Sequence, residues 1–294
     1  MKDTKVQDGR RGKTIATVLF GLSLILGTGC QSNSSTEPDE TNITASQDVA
    51  ESVAGDIGED TGGAMDQVGD LLVVTGGGNF NSLGKKSANE SASSEYDSVN
   101  GVWTITVSRE RGILTGLFYA SISRKYTAQF FNANGQPQKF FITDGDTAYT
   151  VNFAIVEGSG NHKTLRLFQE LTELSASFVA TGTNTGTVTI NGTYHRAAMD
   201  EITTLRTERT LDHALDLTFI DVRGPRGSRS DLSRKVSGRI TGTYTATATF
   251  TRGDAYSEQN IQRDINIVLG DGQAQIAVNG QGYTSDVETG ELDE

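Results

Sequence analysis

From Val99 onward the apolar residues of the chain recur at every second position, and that period excludes most architectures. Trp103, Ile105 and Val107 alternate with Thr104, Thr106 and Ser108. Tyr149, Val151, Phe153 and Ile155 repeat the pattern, as do Val188 and Ile190 between Thr187, Thr189 and Asn191. Successive side chains of a strand point to opposite faces, so each run describes a strand with one apolar side. The dipeptides Asn134-Gly135, Asp144-Gly145, Asn191-Gly192, Asp271-Gly272 and Asn279-Gly280 are turn candidates between such runs. Asn-Gly and Asp-Gly suit tight hairpins, which implies an antiparallel meander and not β-α-β units. Asn191-Gly192 lies within an alternating stretch and reads equally as a bulge or bend.

Roughly nine to twelve strands of ordinary length fit between Val99 and Tyr283. A flat sheet of that size would leave its apolar face wet, so it must close on itself or pack on another layer. The expected fold is all-β: an antiparallel meander closed into a barrel or β-sandwich, with Trp103, Phe153, Phe219 and Phe250 in the core. A transmembrane barrel would need an outward apolar band with aromatic girdles, whereas the opposite strand faces here are rich in Thr, Asp, Arg and Asn. A soluble domain is the better reading. A faint repeat at an offset of fifty residues accords with hairpins of common length. It pairs Gly192-Thr193-Tyr194 with Gly242-Thr243-Tyr244, and Leu211, Leu215, Leu217 and Phe219 with Ile261, Ile265, Ile267 and Leu269.

The N-terminus has a different character. Lys2, Lys5, Arg10, Arg11 and Lys13 precede the apolar run TIATVLFGLSLIL at 14 to 26, after which Gly27-Thr28-Gly29 leads to Cys30, the only cysteine. A basic start, a short apolar run and small residues make a secretory signal, too short for a stable membrane span. The end of this signal resembles that of bacterial lipoproteins, in which a small residue precedes an acceptor cysteine. Gly29-Cys30 carries the resemblance, while Gly27 stands where that family usually has a leucine-like residue. The resemblance implies cleavage after residue 29 and acylation of Cys30, including palmitate, with the membrane as partner through the acyl chains. Gln31 in place of aspartate implies outer-membrane sorting in a Gram-negative cell. It covers about thirty residues and is silent on the β domain.

Cleavage there changes the formal charge from -12 to -15. So acidic a chain has no basic stripe to displace phosphate counterions, which excludes nucleic acid as a partner. The acids are concentrated toward the N-terminus: residues 31 to 98 hold 13 of them against Lys85 and Lys86 alone. The organisation expected is a signal peptide at 1–29, a flexible tether at 30–48, a weakly helical acidic segment at 49–75, a linker at 76–98 and the antiparallel β domain at 99–294. Val49, Val53 and Ile57, then Met65, Val68, Leu71 and Leu72, recur at helical spacing and predict one or two short helices. Gly55, Gly58, Gly62 and Gly63 weaken them by about 1 kcal/mol each wherever they fall in a helix interior.

Local chemistry is sparse. Arg223, Arg226 and Arg229, with Arg234 and Lys235 beyond, form the one basic concentration of the β domain and a candidate loop for phosphate or carboxylate groups. The ordinary alternative is a solubilising loop paired with nearby acids. Asp144 and Asp146 flank a glycine and are a candidate calcium pair, although Asp-Gly also makes plain hairpins. Thr241, Thr243, Thr245, Thr247 and Thr249 stripe one strand face, as β-branched residues do on solvated strands. His162, His195 and His213 have no metal-binding spacing, and alternation puts His213 on the apolar face with Asp212 and Asp216 on the other. No GxSxG elbow or phosphate-binding glycine loop occurs. The residues therefore predict no catalytic set, no metal and no cofactor. They fit a lipid-anchored cell-envelope protein with a non-catalytic binding or structural role, an envelope protein or a glycan being the candidate partner. Two alternatives stay open: a barrel-type carrier of a small amphiphile or lipid, and a carboxylate-dependent hydrolase.

Overall fold

Each alternating run pairs with the next in chain order. A computed structural model of the protein describes residues 40–77, 80, 83, 89–203, 208–229, 235–252 and 255–293. The strands are β1 (Ser91–Asp97), β2 (Val102–Gly112), β3 (Tyr119–Phe131), β4 (Pro137–Gln138), β5 (Ile142–Thr143), β6 (Asp146–Thr147) and β7 (Thr150–Lys163). They continue as β8 (Leu167–Thr181), β9 (Thr187–Thr203), β10 (Glu208–Pro225), β11 (Ser237–Arg252), β12 (Ala255–Gly270), β13 (Gln273–Val278) and β14 (Gln281–Asp286). All but β5 and β6 belong to one twelve-stranded antiparallel sheet, a meander from β1 to β14 with β4 added beside β3. Four of the five turn candidates are turns, and positive φ at both Asp271-Gly272 and Asn279-Gly280 gives the tight hairpins flanking β13. The fifth, Asn191-Gly192, lies within β9. There the Asp221 N–H, on a bulge of neighbouring β10, donates to the Asn191 side chain at 2.9 Å.

The sheet does not close. Among the described residues its two end strands, β1 and β14, do not pair with each other, and no second large sheet stacks on it. The expected closed barrel or sandwich is therefore corrected to an open sheet, and the reason lies in the segment before it. Helices α1 (Glu40–Ile57) and α2 (Ala64–Val74) form a hairpin that supplies the second layer. Every residue of α2 except Val73 is buried. Met65, Val68, Leu71 and Leu72 occupy the core with Val53 and Ile57 of α1. Burial of a Leu, Val or Met side chain contributes about 1.5–3 kcal/mol, which outweighs the roughly 1 kcal/mol disadvantage of a helical glycine. Of the four glycines only Gly55 falls inside a helix; Gly58, Gly62 and Gly63 lie in the turn between the two.

Strands from both ends and the middle of the sheet touch this hairpin. Asp66 of α2 bonds Arg109 of β2, Asp56 of α1 pairs with Arg196 of β9, and the Glu59 N–H donates to the Val287 carbonyl just after β14. The sheet thus curls around the helices. Close strand crossings make the curl possible: a Cβ at Gly192 or Gly242 would fall on the carbonyl oxygens of Ser177 and Asp216 on neighbouring strands. The outer faces are mainly polar, as in β8, where Glu170, Ser175, Ser177 and Thr181 are exposed together with Phe168 and Val179, between buried Leu167, Leu174, Ala176, Phe178 and Ala180.

Helix α1 begins within the stretch read as tether, and β1 lies within the stretch read as linker. Residues from Glu40 to the end form a single unit. Of the four expected core aromatics Phe153 and Phe219 are buried, while Trp103 and Phe250 are half-buried. The fifty-residue correspondence falls on successive hairpins, β9–β10 and β11–β12, with Tyr194 and Tyr244 both buried. The signal segment, Cys30 and Arg234 lie outside the described residues.

Candidate functional site

The charges of the interior were the least expected feature. Asp66 and Asp70 sit one helical turn apart on α2, so their carboxylates share a face. Four arginines converge on them. Arg109 donates to Asp66 at 2.8 Å and to Asp70 at 2.9 Å, and Arg111 donates to Asp66 at 2.8 Å. Arg124 of β3 and Arg229, beyond β10, also bond Asp66, and Arg229 reaches Asp70 and Glu59 as well. The Tyr126 hydroxyl donates to Asp70 at 2.7 Å, and burial raises its own pKa. Arg109 and Arg124 are only 1% exposed and both aspartates 0%. Arginine's planar fork suits such multiple pairing, and each charge so buried is held by its partners.

A second buried cluster joins α1 to β8–β10. Arg196 Nε lies 2.7 Å from Asp56 Oδ1, and Arg196 also donates to Gln169, whose amide donates to Asp200 at 2.8 Å. His213 sits between two carboxylates, 3.0 Å from Asp56 and 3.4 Å from Asp200, with its ring stacked on Tyr244 at 4.9 Å. Burial alone would lower the His213 pKa, but Asp200 and Asp56 together raise it and favour imidazolium. Burial works to raise Asp56, yet Arg196 and His213 bring it below the usual carboxylate range; for Asp200 burial wins and the pKa is raised. Asp56, Asp200 and His213 are buried and line none of the concave sites described below, so this Asp-His-Asp arrangement acts as a fastener between helix and sheet.

Among the concave sites that the described residues turn to solvent, two contain a histidine. One lies on the outer sheet surface across β8–β11, lined by Ser175, Ser177, His195, Asp216 and Thr243. His195 Nδ1 is 2.7 Å from Asp216, while its Nε2 faces Glu173 at 3.9 Å and not a hydroxyl. The imidazole–carboxylate bond of a serine nucleophile set is therefore present, while the bond from a hydroxyl to the imidazole is not. The other site lies between α1, the β7–β8 connection and the segment after β14, and has His162, Glu51, Arg166 and Tyr283 in its wall. Burial, reinforced by Arg196, pushes His162 down to about 3, so this imidazole is neutral at physiological pH. Burial raises the Glu51 carboxyl, against the pull of Arg166 at 3.4 Å.

The expected anion loop is divided by the fold. Arg223 and Arg226 are exposed, Arg226 donating to the Thr183 carbonyl at 3.1 Å, but Arg229 turns inward to the α2 acids. It therefore cannot offer its guanidinium outward with the other two. Asp144 and Asp146 are exposed in the β5–β6 hairpin, where positive φ at Asp144 and Gly145 accounts for the dipeptide. Among the described residues no group of three or more His, Cys, Asp or Glu is arranged to hold a metal. The threonine stripe lies on the outer face of β11, where Thr249 bonds Thr210 at 2.6 Å and Thr247 bonds Asn260 at 3.2 Å. Sequence reasoning missed the buried charges, yet a signal existed. Arg109 shares the strand parity of Ile105 and Val107, and Arg196 and Asp200 share that of Tyr194 and Ile202. Comparison with protein families, curated proteins and solved structures finds no match for the chain.

Proposed function

We propose that the chain is a lipid-anchored cell-envelope protein whose β domain has a non-catalytic binding or structural role. The observation that carries this reading is the filling of the sheet by the protein's own helices. The space an amphiphile carrier would line with apolar side chains holds Met65, Leu71, Leu72, Val53 and Ile57, fixed by ion pairs to the strands. A carrier needs a continuous apolar cavity, so this packing favours a rigid scaffold presenting its surface. The anchor is Cys30, supported by the lipoprotein-like signal, with acyl chains in the outer membrane if the cell is Gram-negative. Several acyl chains at about 0.8 kcal/mol per buried methylene hold such a protein durably.

Intact mass of the full chain extracted from membranes tests both halves. An acyl mass on Cys30 that survives denaturation, with no amphiphile released on unfolding, is the expected result. An unmodified thiol would remove the anchor, and a released amphiphile would restore the carrier reading.

A carboxylate-dependent hydrolase is the second reading, and one observation favours it: the raised Glu51 carboxyl lines a solvent-facing pocket with Glu291 and Asp293. Glycoside or ester hydrolysis abolished by Glu51→Gln would establish it.

A further inference from the structure

The pocket beside α1 contains polar groups that the fold does not use. It encloses about 410 Å³, within the range of small-molecule sites. His162 lines it at 0% exposure, and neither ring nitrogen has a hydrogen-bond partner among the described residues. The buried Tyr283 hydroxyl in the same wall has none either. A buried polar group left unpaired costs about 1–3 kcal/mol, so three such atoms around one pocket point to a ligand that pairs them. Gly55 contributes to the seat: a Cβ there would come within 3.0 Å of His162 Nε2 and crowd the ring from the helix side.

Charge selects the ligand. Glu51, Glu291 and Asp293 line the pocket against a single cation, Arg166, which is already drawn to Glu51. An anion would meet three carboxylates, and a neutral polyol would leave their charge uncompensated. The neutral imidazole of His162 offers one acceptor nitrogen, and the Tyr283 oxygen and the Glu51 carboxylate accept as well. The second His162 nitrogen, Gln47, Thr164 and Arg166 can donate, but three carboxylates face one guanidinium, so positive charge is what the site lacks. We propose that this pocket binds a small organic cation bearing several N–H donors, a primary amine or guanidinium compound, held by His162, Tyr283 and Glu51. The inference rests on the binding role proposed above and is independent of the lipid anchor.

The test is calorimetric titration of the full-length chain with 1,4-diaminobutane, and with glucose and acetate in parallel. Saturable diamine binding is expected, with movement of the His162 ring resonances. Tyr283→Phe and Glu51→Gln remove one bonding group each without touching the buried His162, and each is expected to weaken binding about tenfold, the equivalent of one charge-assisted hydrogen bond. Saturation by glucose or acetate in place of the diamine would overturn the cation assignment and leave the binding role standing. Diamine affinity unchanged in both variants would place any binding elsewhere and overturn the site, as would saturation by none of the three probes. Turnover of an ester or glycoside lost in Glu51→Gln would instead overturn the non-catalytic role.

Discussion

Replacing Asp66 by asparagine tests the buried charges most sharply. The change keeps the shape of the side chain and removes the carboxylate that all four guanidinium groups share, leaving Arg111 with Asp60 and Arg229 with Asp70 and Glu59. Arg109 and Arg124 are 1% exposed, so they cannot turn to water for compensation. An asparagine in this place also aims two N–H donors at guanidinium donors. Removing one partner from a buried pair is destabilising by about 3–5 kcal/mol, a large share of the roughly 5–15 kcal/mol that holds a typical domain folded. For a unit of this size that corresponds to a fall in Tm of roughly 10 °C. Trp103, the only tryptophan, packs against Phe80, Tyr96 and Phe140 and reports unfolding in urea by fluorescence. Asp144→Asn, in an exposed hairpin, is the control and is expected to change stability by less than about 0.5 kcal/mol. Adding Arg124→Met to Asp66→Asn removes an orphaned cation and is expected to recover part of the loss. A loss below about 1 kcal/mol for Asp66→Asn would refute the claim that these charges pin helix to sheet.

Two further outcomes follow from the geometry. His162 resists protonation in the fold, so its contribution is present above the unfolded pKa of 6.5 and is lost as pH falls toward about 3. The loss is about 1.4 kcal/mol per pH unit, or roughly 2 kcal/mol between pH 6.5 and 5. His213 acts oppositely: with its folded pKa raised, its contribution is complete below 6.5 and is lost as pH rises through the folded value. Urea unfolding at pH 7 and 5 is therefore expected to show a shallower acid decline in His162→Phe than in the unaltered chain, and parallel declines would contradict the His162 assignment. At Gly242, alanine would set its Cβ on the backbone of β10, and the collision is expected to reduce stability by more than 4 kcal/mol, on the order of the largest single-site effects. Near-normal urea midpoints for Gly242→Ala would show that the sheet does not curl there as described.

The strands were legible because burial on one face leaves an imprint of period two that needs no knowledge of partners. Asp271-Gly272 and Asn279-Gly280 were legible for a similar reason, since the turn is written in two adjacent residues. Strand β1 left no such imprint. It is an edge strand of mainly exposed serine and acidic residues, with only Ala92 and Tyr96 half-buried. The hairpin was half legible. Its apolar spacing stood out, but Asp66 and Asp70 within an acidic segment read as solvated charge, and the glycines read as weakness. Their neutralising partners lie 39 to 163 residues away in sequence, a relation that only the folded sheet creates. Arg229 shows the same limit: a loop of arginine, glycine and proline looks outward until one arginine is found facing the core. The pocket beside α1 was illegible because His162, Glu51 and Tyr283 come from three distant segments.

Native-state hydrogen exchange on the full-length chain tests most directly whether the helical hairpin is the core around which the sheet forms. The amides of Val68 to Val74 are expected to exchange only through global unfolding, with the same free energy and denaturant dependence as the central amides of β9 and β10. Opening of α2 at markedly lower free energy, while those strands stay protected, would show that the sheet stands without its helices and would contradict the account.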